Sequence, residues 1–134
     1  MLEPTSAGSS SAPFSSAGSS PLRTGITRPG PGIAVLDVHG EVDTLTAPPL
    51  EQATGELLAE PGTTVIVVDL TGVTFLASSG LAVLIRAAHR ASSRDLRLRL
   101  VAAARAVRRP LEVTGSDQLF DMYEDVEGAL ATGA

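Results

Sequence analysis

Two adjacent serines, Ser78 and Ser79, stand where a hydroxyl group could take part in chemistry. They follow a continuous β-branched run, Thr64–Leu70, which is typical of a strand buried on both faces. Apolar residues at 81, 84, 85 and 88 then recur with helical spacing, so a helix is predicted to begin at the serines. The first N–H groups of a helix lack partners within it, and the helix dipole favours negative charge there. Ser78 is therefore well placed to cap the helix or to carry a phosphate.

The simplest interpretation of these residue types alone is structural. Ser78 would be an N-cap and Ser79 a surface residue, since serine is among the commonest caps. A phosphoserine at position 78 would instead add about −1.5 to −2 charges and three strong hydrogen-bond acceptors. Gly80 would leave room for a partner or a phosphate to approach the backbone. Such a change would be mainly electrostatic and steric, and the domain need not refold.

Two aspartates and two histidines are the other candidate polar residues. Asp43 is interpreted from its type as starting a turn or capping the next helix. Asp69 is predicted to close the buried strand, where a carboxylate can face a ligand, although we favour bonds to neighbouring loop amides. His39 is predicted to end a strand and His89 to lie on a helix surface, with no metal-ligand spacing between them.

Composition limits the classes of function. With 134 residues and a 43% hydrophobic share, the chain fits one domain with a real core. It has no cysteine, which excludes disulfides, thiolate metal sites and a cysteine nucleophile. The net charge of −5 argues against nucleic acid as a partner, and the basic residues from Arg86 to Arg109 are expected to form a solvated face. No apolar run approaches the ~20 residues that span a bilayer, and no secretory signal is predicted, so we expect a soluble, cytoplasmic protein.

The order of the predicted elements indicates the fold class. Residues 1–20 are rich in Ser, Gly and Ala, which predicts a disordered tail before an ordered domain at 21–134. Alternating strands and helices then predict an α/β fold, with a small mixed, largely parallel sheet flanked by helices. Pro110 is awkward inside its helix, which is expected to start late, near Val107, or to kink. The predicted elements are strands Leu22–Thr27 and Ile33–Val38, helix Ala47–Glu60, strand Thr64–Leu70, a helix from Ser78, strand Leu96–Val101, helix Ala104–Thr114, strand Phe120–Tyr123 and helix Asp125–Ala131.

The segment Asp69–Leu84, DLTGVTFLASSGLAVL, resembles the signature of the STAS family of anti-sigma factor antagonists. Gly40–Asp43 (GEVD) resembles the Gly-Glu-Leu/Ile-Asp element of that family, and Val107–Gly115 resembles its third helix. Leu119–Phe120 and Val126–Leu130 match the end of the family pattern. The resemblance covers nearly all of the predicted domain, and four elements in the same order make it specific.

The resemblance implies a STAS-like fold and a regulatory protein, with no enzyme activity and no cofactor. An unphosphorylated antagonist of this family binds an anti-sigma factor, which is also a serine kinase, and so frees the sigma factor. The kinase then phosphorylates the serine that corresponds to Ser78, the complex dissociates, and a serine phosphatase restores the antagonist. The partner-binding residues implied are Asp43, Ser78, Ser79 and Gly80, and no contact with nucleic acid or a membrane is expected.

Ala77 departs from the family pattern, which has aspartate immediately before the phosphorylated serine. A carboxylate there would repel a phosphate and orient the hydroxyl group or the partner. Its loss is consistent with altered kinase recognition, or with a STAS interaction scaffold that works in a signalling complex without phosphorylation. The enzyme alternative is a serine hydrolase built on Ser78, but residues Leu76–Gly80 (LASSG) lack the Gly-x-Ser-x-Gly nucleophile elbow.

Overall fold

The computed structural model describes residues 22–131, which form one five-stranded sheet and four helices. The strands lie in chain order: β1 Arg23–Gly30, β2 Ile33–Val42, β3 Val65–Leu76, β4 Arg97–Val101 and β5 Asp121–Tyr123. β1 pairs antiparallel with β2, and every other neighbouring pair is parallel. The helices are α1 Ala47–Ala59, α2 Ser78–Ser93, α3 Arg105–Val113 and α4 Val126–Ala131, with a 3₁₀ turn at Ser116–Leu119. The predicted α/β fold with a mixed, largely parallel sheet is confirmed.

The two faces of the sheet are covered unequally. α1, α2 and α3 pack on one face over residues such as Leu36 and Val68, whereas α4 packs on the other over Val67 and Val101. Because β3 is central and covered on both faces, all residues from Val65 to Val68 are at most 1% exposed. This explains why the sequence of this segment is continuously apolar instead of alternating.

β2 and β3 extend further than the sequence predicted. β3 continues past Leu70 to Leu76, and the two strands stay paired through two irregularities in register. The predictions that Asp69 closes β3 and that His39 ends β2 are therefore wrong, since both residues lie inside strands. The pairing continues because Gly72 lies opposite His39, and a Cβ on Gly72 would collide with the imidazole. Gly72 thus permits a close contact between the two strands.

The buried Arg99 is the second departure from the predicted pattern. It was expected on a solvated basic face, but its side chain is only 2% exposed. Its Nη1 donates a hydrogen bond to the carbonyl oxygen of Ala129 at 2.8 Å, and its guanidinium lies 6.0 Å from the centre of the Tyr123 ring. A buried guanidinium needs hydrogen-bond acceptors, and Arg99 finds one in α4. Together with the contact to Tyr123, this bond connects β4 to α4 and β5.

Helix α3 runs through Pro110 without starting late. It begins at Arg105, not near Val107, although Pro110 supplies no N–H to the helix. Val107 and Leu111 are both fully buried, so tertiary packing holds a helix that its local sequence disfavours. Gly115 then adopts a positive φ of 76° just after the helix, a conformation that glycine commonly supplies at a helix C-terminus.

Some predictions concern residues that the structure does not describe. The disordered tail at 1–20 lies outside the described residues, so it and the domain bounds of 21–134 stay predictions. Between residues 22 and 131, no helix combines the length and the apolar character that crossing a bilayer requires.

Two carboxylates lie side by side on the sheet face that α4 covers only in part. Asp37 of β2 is paired in register with Asp69 of β3. Asp69 Oδ1 accepts hydrogen bonds from the N–H and the hydroxyl of Thr71, at 3.0 and 2.8 Å. The predicted bonding to a neighbouring amide is therefore present, but Thr71 belongs to β3 and not to a loop. Burial, followed by the contact with Asp69, raises the pKa of Asp37, and the charge of His39 opposes this shift.

The raised pKa of Asp37 predicts a pH-dependent effect of Asp37→Asn. The folded state binds this proton more tightly than the unfolded state, so Asp37 stabilises the fold less as the pH rises through its folded pKa. We expect Asp37→Asn to raise Tm near neutral pH, and the gain to shrink below the ordinary pKa of aspartate. Thermal unfolding near neutral pH and at a pH below the ordinary pKa of aspartate checks this. Asp121→Asn, at an exposed position on β5, is the control. An equal change in Tm at both pH values would contradict the account.

Candidate functional site

The ends of β2 and β3 fix the place where α2 begins. Val42 and Leu76 are the last paired residues of the two strands. The N–H of Ala77 then donates to the carbonyl oxygen of Val42 at 2.8 Å, and the carbonyl oxygen of Ala77 accepts from the N–H of Leu81 at 3.0 Å. Ala77 therefore joins the sheet and the helix, with an extended backbone at φ −83° and ψ 169°.

Ser78 and Ser79 occupy different environments. Ser78 is the first residue of α2 and is exposed, so its hydroxyl group is open to solvent. The expectation that Ser78 caps α2 is wrong: because β3 extends to Leu76, the N-cap is Ala77, and no side chain caps the helix. Ser79 is partly buried, and its Oγ is buried with no hydrogen-bond partner within residues 22–131. Ser79 is therefore not the simple surface residue that its type suggested.

Gly80 is buried against the sheet. A Cβ at this position would collide with Cγ1 of Val42 and would lie 2.9 Å from Cδ1 of Leu76. The Cβ direction of Gly80 thus points into the core, and the absence of a side chain lets α2 pack closely on β2 and β3. The expectation that Gly80 leaves room for a partner or a phosphate to approach the backbone is therefore wrong. The N–H of Gly80, in the first turn of α2, is the group of this residue that a partner could still bind.

Asp43 organises the loop between β2 and α1. Its Oδ1 accepts hydrogen bonds from the N–H groups of Leu45 and Thr46, at 3.0 and 3.1 Å. Its carbonyl oxygen accepts from the N–H of Ala47 at 2.8 Å, and Thr46 Oγ1 donates to the carbonyl oxygen of Glu41 at 2.8 Å. The interpretation of Asp43 as a turn residue is confirmed. The alternative that it caps the next helix is wrong, because the N-cap of α1 is Thr46.

The structure also brings Asp43 next to the serines. Asp43 follows Val42 directly, and Ser78 follows Ala77 directly, so each lies one residue beyond the Val42–Ala77 hydrogen bond. The Asp43 loop and the start of α2 therefore form one continuous surface at the carboxyl ends of β2 and β3. This is where open parallel sheets commonly bind their ligands.

The backbone at the start of α2 favours an anion. α2 has no acidic residue in its first turn and no capping side chain, and its basic last-turn residue is Arg90. The N–H groups of Ser78, Ser79 and Gly80 have no partner within the helix, so the positive end of the helix dipole is not compensated. Within residues 22–131, no cluster of His, Cys, Asp or Glu could hold a metal ion, and His89 is exposed on α2 as predicted.

Sequence reasoning missed several apolar residues beside this surface. Phe75 is 50% exposed, Leu45 is 74% exposed and Val113 is 70% exposed. Leu45 follows β2, Phe75 lies at the end of β3, and Val113 ends the helix that follows β4. The signal in the sequence was weak, because a single large apolar residue among polar neighbours is also compatible with a core position.

Comparison with known proteins agrees with this arrangement. The model of the STAS domain family matches residues 27–129. The chain belongs to the STAS domain family. It is 36% identical over 99 residues to the anti-sigma-F factor antagonist RsfB of Mycobacterium tuberculosis, which covers 74% of this chain and 80% of RsfB.

Solved STAS structures show the same fold. A crystal structure of an anti-sigma factor antagonist from Mycobacterium paratuberculosis has a TM-score of 0.73 and 35% identity, covering 84% of this chain and 96% of that one. SpoIIAA in its unphosphorylated form has a TM-score of 0.69 at 16% identity, covering 81% of this chain and 93% of that one. The phosphorylated form of Bacillus SpoIIAA has a TM-score of 0.65 at 15% identity, covering 81% and 97%. At such low identities, the SpoIIAA structures support the fold alone.

The bare N-cap of this STAS domain predicts that Ala77→Asp stabilises it. Aspartate at an N-cap accepts a hydrogen bond from the first turn and is typically better than alanine by about 0.5–2 kcal/mol. We expect a rise of that size in the free energy of unfolding, measured by urea denaturation. Ala77→Asn supplies a cap without charge and separates capping from the dipole interaction. If neither variant gained stability, Ala77 would not be the N-cap in solution.

Proposed function

We propose that this STAS domain is an anti-sigma factor antagonist, and that its unphosphorylated form binds an anti-sigma factor that is also a serine kinase. Binding would release the sigma factor and so regulate transcription by partner switching. Membership of the family and the 36% identity to an anti-sigma-F factor antagonist support this proposal. It acts as a binding protein in the cytoplasm, without enzyme activity of its own.

Phosphorylation of Ser78 switches the domain off. The kinase transfers the γ-phosphoryl group of ATP to Ser78 Oγ, so an O–P bond forms, ADP leaves and the hydroxyl proton is lost. The observation that carries this step is the exposed hydroxyl of Ser78 at the start of α2, beside Ser79 whose Oγ is buried. A serine phosphatase then hydrolyses the ester with water and returns the free serine.

The physical basis of release is the charge placed on the docking surface. A phosphate adds about −1.5 to −2 charges at a contact that loses its water on binding. In the free antagonist, the N–H groups of the first turn of α2 stabilise that charge, as helix N-termini do for anions. In the complex, the partner covers Ser78, Ser79, the N–H of Gly80 and the Asp43 loop, and excludes the phosphate. Phosphorylation therefore favours the free form.

A second candidate function is a STAS scaffold that binds partners in a signalling complex without phosphorylation. Ala77 is the observation that favours it, because the family pattern has aspartate at this position. Both candidates use the same surface, and they differ in whether Ser78 is a substrate of the kinase.

Substitution of Ser78 tests the switch. We expect Ser78→Asp to weaken binding to the cognate anti-sigma factor by about tenfold or more, which corresponds to ~1.4 kcal/mol. Ser78→Ala is expected to keep binding but to abolish phosphorylation. Titration calorimetry with each purified anti-sigma factor kinase of the source organism measures the affinities. Ser92→Asp, an exposed serine at the far end of α2, is the matched control.

Two results would decide between the candidates. Incubation with the same kinases and ATP, followed by mass spectrometry, is expected to find phosphate on Ser78 and none in Ser78→Ala. Absence of phosphate with every kinase that binds would favour the scaffold. Unchanged binding by Ser78→Asp would contradict the proposed docking surface.

A further inference from the structure

An apolar groove of about 600 Å³ opens between the end of β3 and α3. Half of the Phe75 side chain and 70% of Val113 are exposed there, although both are large apolar residues. Exposed apolar side chains that are contiguous and rimmed by polar ones commonly mark an interaction surface. The groove is lined by the apolar residues Phe75, Leu76, Pro110 and Val113 and by the basic residues Arg105 and Arg109.

The two arginines of this groove have no acidic partner among residues 22–131. Arg108, the third arginine of α3, lies 3.5 Å from a carboxylate oxygen of Glu112. No such ion pair joins Arg105 or Arg109 to any carboxylate of residues 22–131. The chain as a whole carries a net charge of −5, so this local positive charge stands out against the rest of the protein. It favours an acidic ligand at this place.

The groove is continuous with the surface around Ser78. Leu76 lines the groove, and it lies directly before Ala77, the N-cap of α2. A protein that covers Ser78 is therefore adjacent to the groove and can fill it without a second contact region.

We infer that the groove receives an acidic segment of the anti-sigma factor, with a large apolar side chain flanked by carboxylates. The apolar side chain packs between Phe75 and Val113, and the carboxylates meet the guanidinium groups of Arg105 and Arg109. This inference rests on the proposed function, since it names a second contact of the same partner. It adds the chemistry by which the partner is recognised away from the phosphorylated serine.

Other occupants fit the groove less well. In a two-fold dimer built on this patch, the same arginines would face their own copies, which is repulsive. Residues 1–21 contain a single acidic residue, Glu3, which cannot neutralise two guanidinium groups. The partner segment satisfies both the apolar and the basic residues of the groove.

Charge reversal tests the inference on the full chain. The double variant Arg105→Glu and Arg109→Glu is expected to weaken binding to the purified anti-sigma factor kinase by at least about tenfold at low salt, and by less at high salt. Arg97→Glu, at the amino end of β4 and so at the end of the parallel strands opposite to Ser78, is the control and is expected to change binding less than about twofold. Circular dichroism and Tm establish that the variants fold. An unchanged affinity in a folded double variant overturns the inference.

Photo-crosslinking identifies the occupant directly. p-Benzoylphenylalanine replaces Val113, which is exposed and needs no repacking, and replaces Ile26 on β1 as a control. The expected product joins position 113 to a peptide of the anti-sigma factor that contains a large apolar residue beside Asp or Glu. A partner peptide without carboxylates, a crosslink between two copies of this chain, or a crosslink to residues 1–21 overturns the inference.

The outcomes separate this inference from the proposed function. If Ser78→Asp weakens binding while the double arginine variant does not, the groove assignment fails and the antagonist function stands. If the wild-type chain binds none of the anti-sigma factor kinases, both proposals fail.

Discussion

The parallel pairing of β2 and β3 is the constraint on which the candidate site depends. The pairing continues beyond the part of the two strands that is buried on both faces, and it ends where Val42 lies beside Leu76. One backbone hydrogen bond, from Ala77 to Val42, then sets the first residue of α2. Gly80 allows the helix to pack against those same strand ends. The position of Ser78 relative to the Asp43 loop is thus fixed by backbone and core packing, without a polar side-chain contact between them.

Much of the fold followed from local patterns in the sequence. The continuous apolar run of β3 predicted a strand buried on both faces. The helical spacing of the apolar residues in α2 predicted a helix buried on one face. The extension of β3 to Leu76 was missed, since Gly72 is of a residue type that is common in turns. Its place in the strand depends on the pairing with His39, which local sequence does not show. The burial of Arg99 was missed for a related reason: strand alternation predicts which face a residue takes, but not what covers that face.

The candidate site was predictable in its location more than in its details. The family signature located Ser78 and Asp43, and the structure brings both to one surface. Local sequence could not distinguish an N-cap at Ala77 from one at Ser78, because the difference depends on where the paired strands stop. The groove beside α3 was also missed. It forms between β3 and α3, segments about thirty residues apart in the sequence, and only tertiary packing brings them together.

The attachment of α4 has a consequence for local unfolding. The described part of α4 has six residues, and the one fully buried side chain among them is Ala129, beside the hydrogen bond from Arg99. A short element with so little buried surface opens at a lower free energy than the core, and such openings are local. Because α4 covers the face opposite to α1, α2 and α3, its fraying leaves the packing beneath α2 undisturbed. Local opening of α4 therefore does not require the helix that carries Ser78 to separate from the sheet.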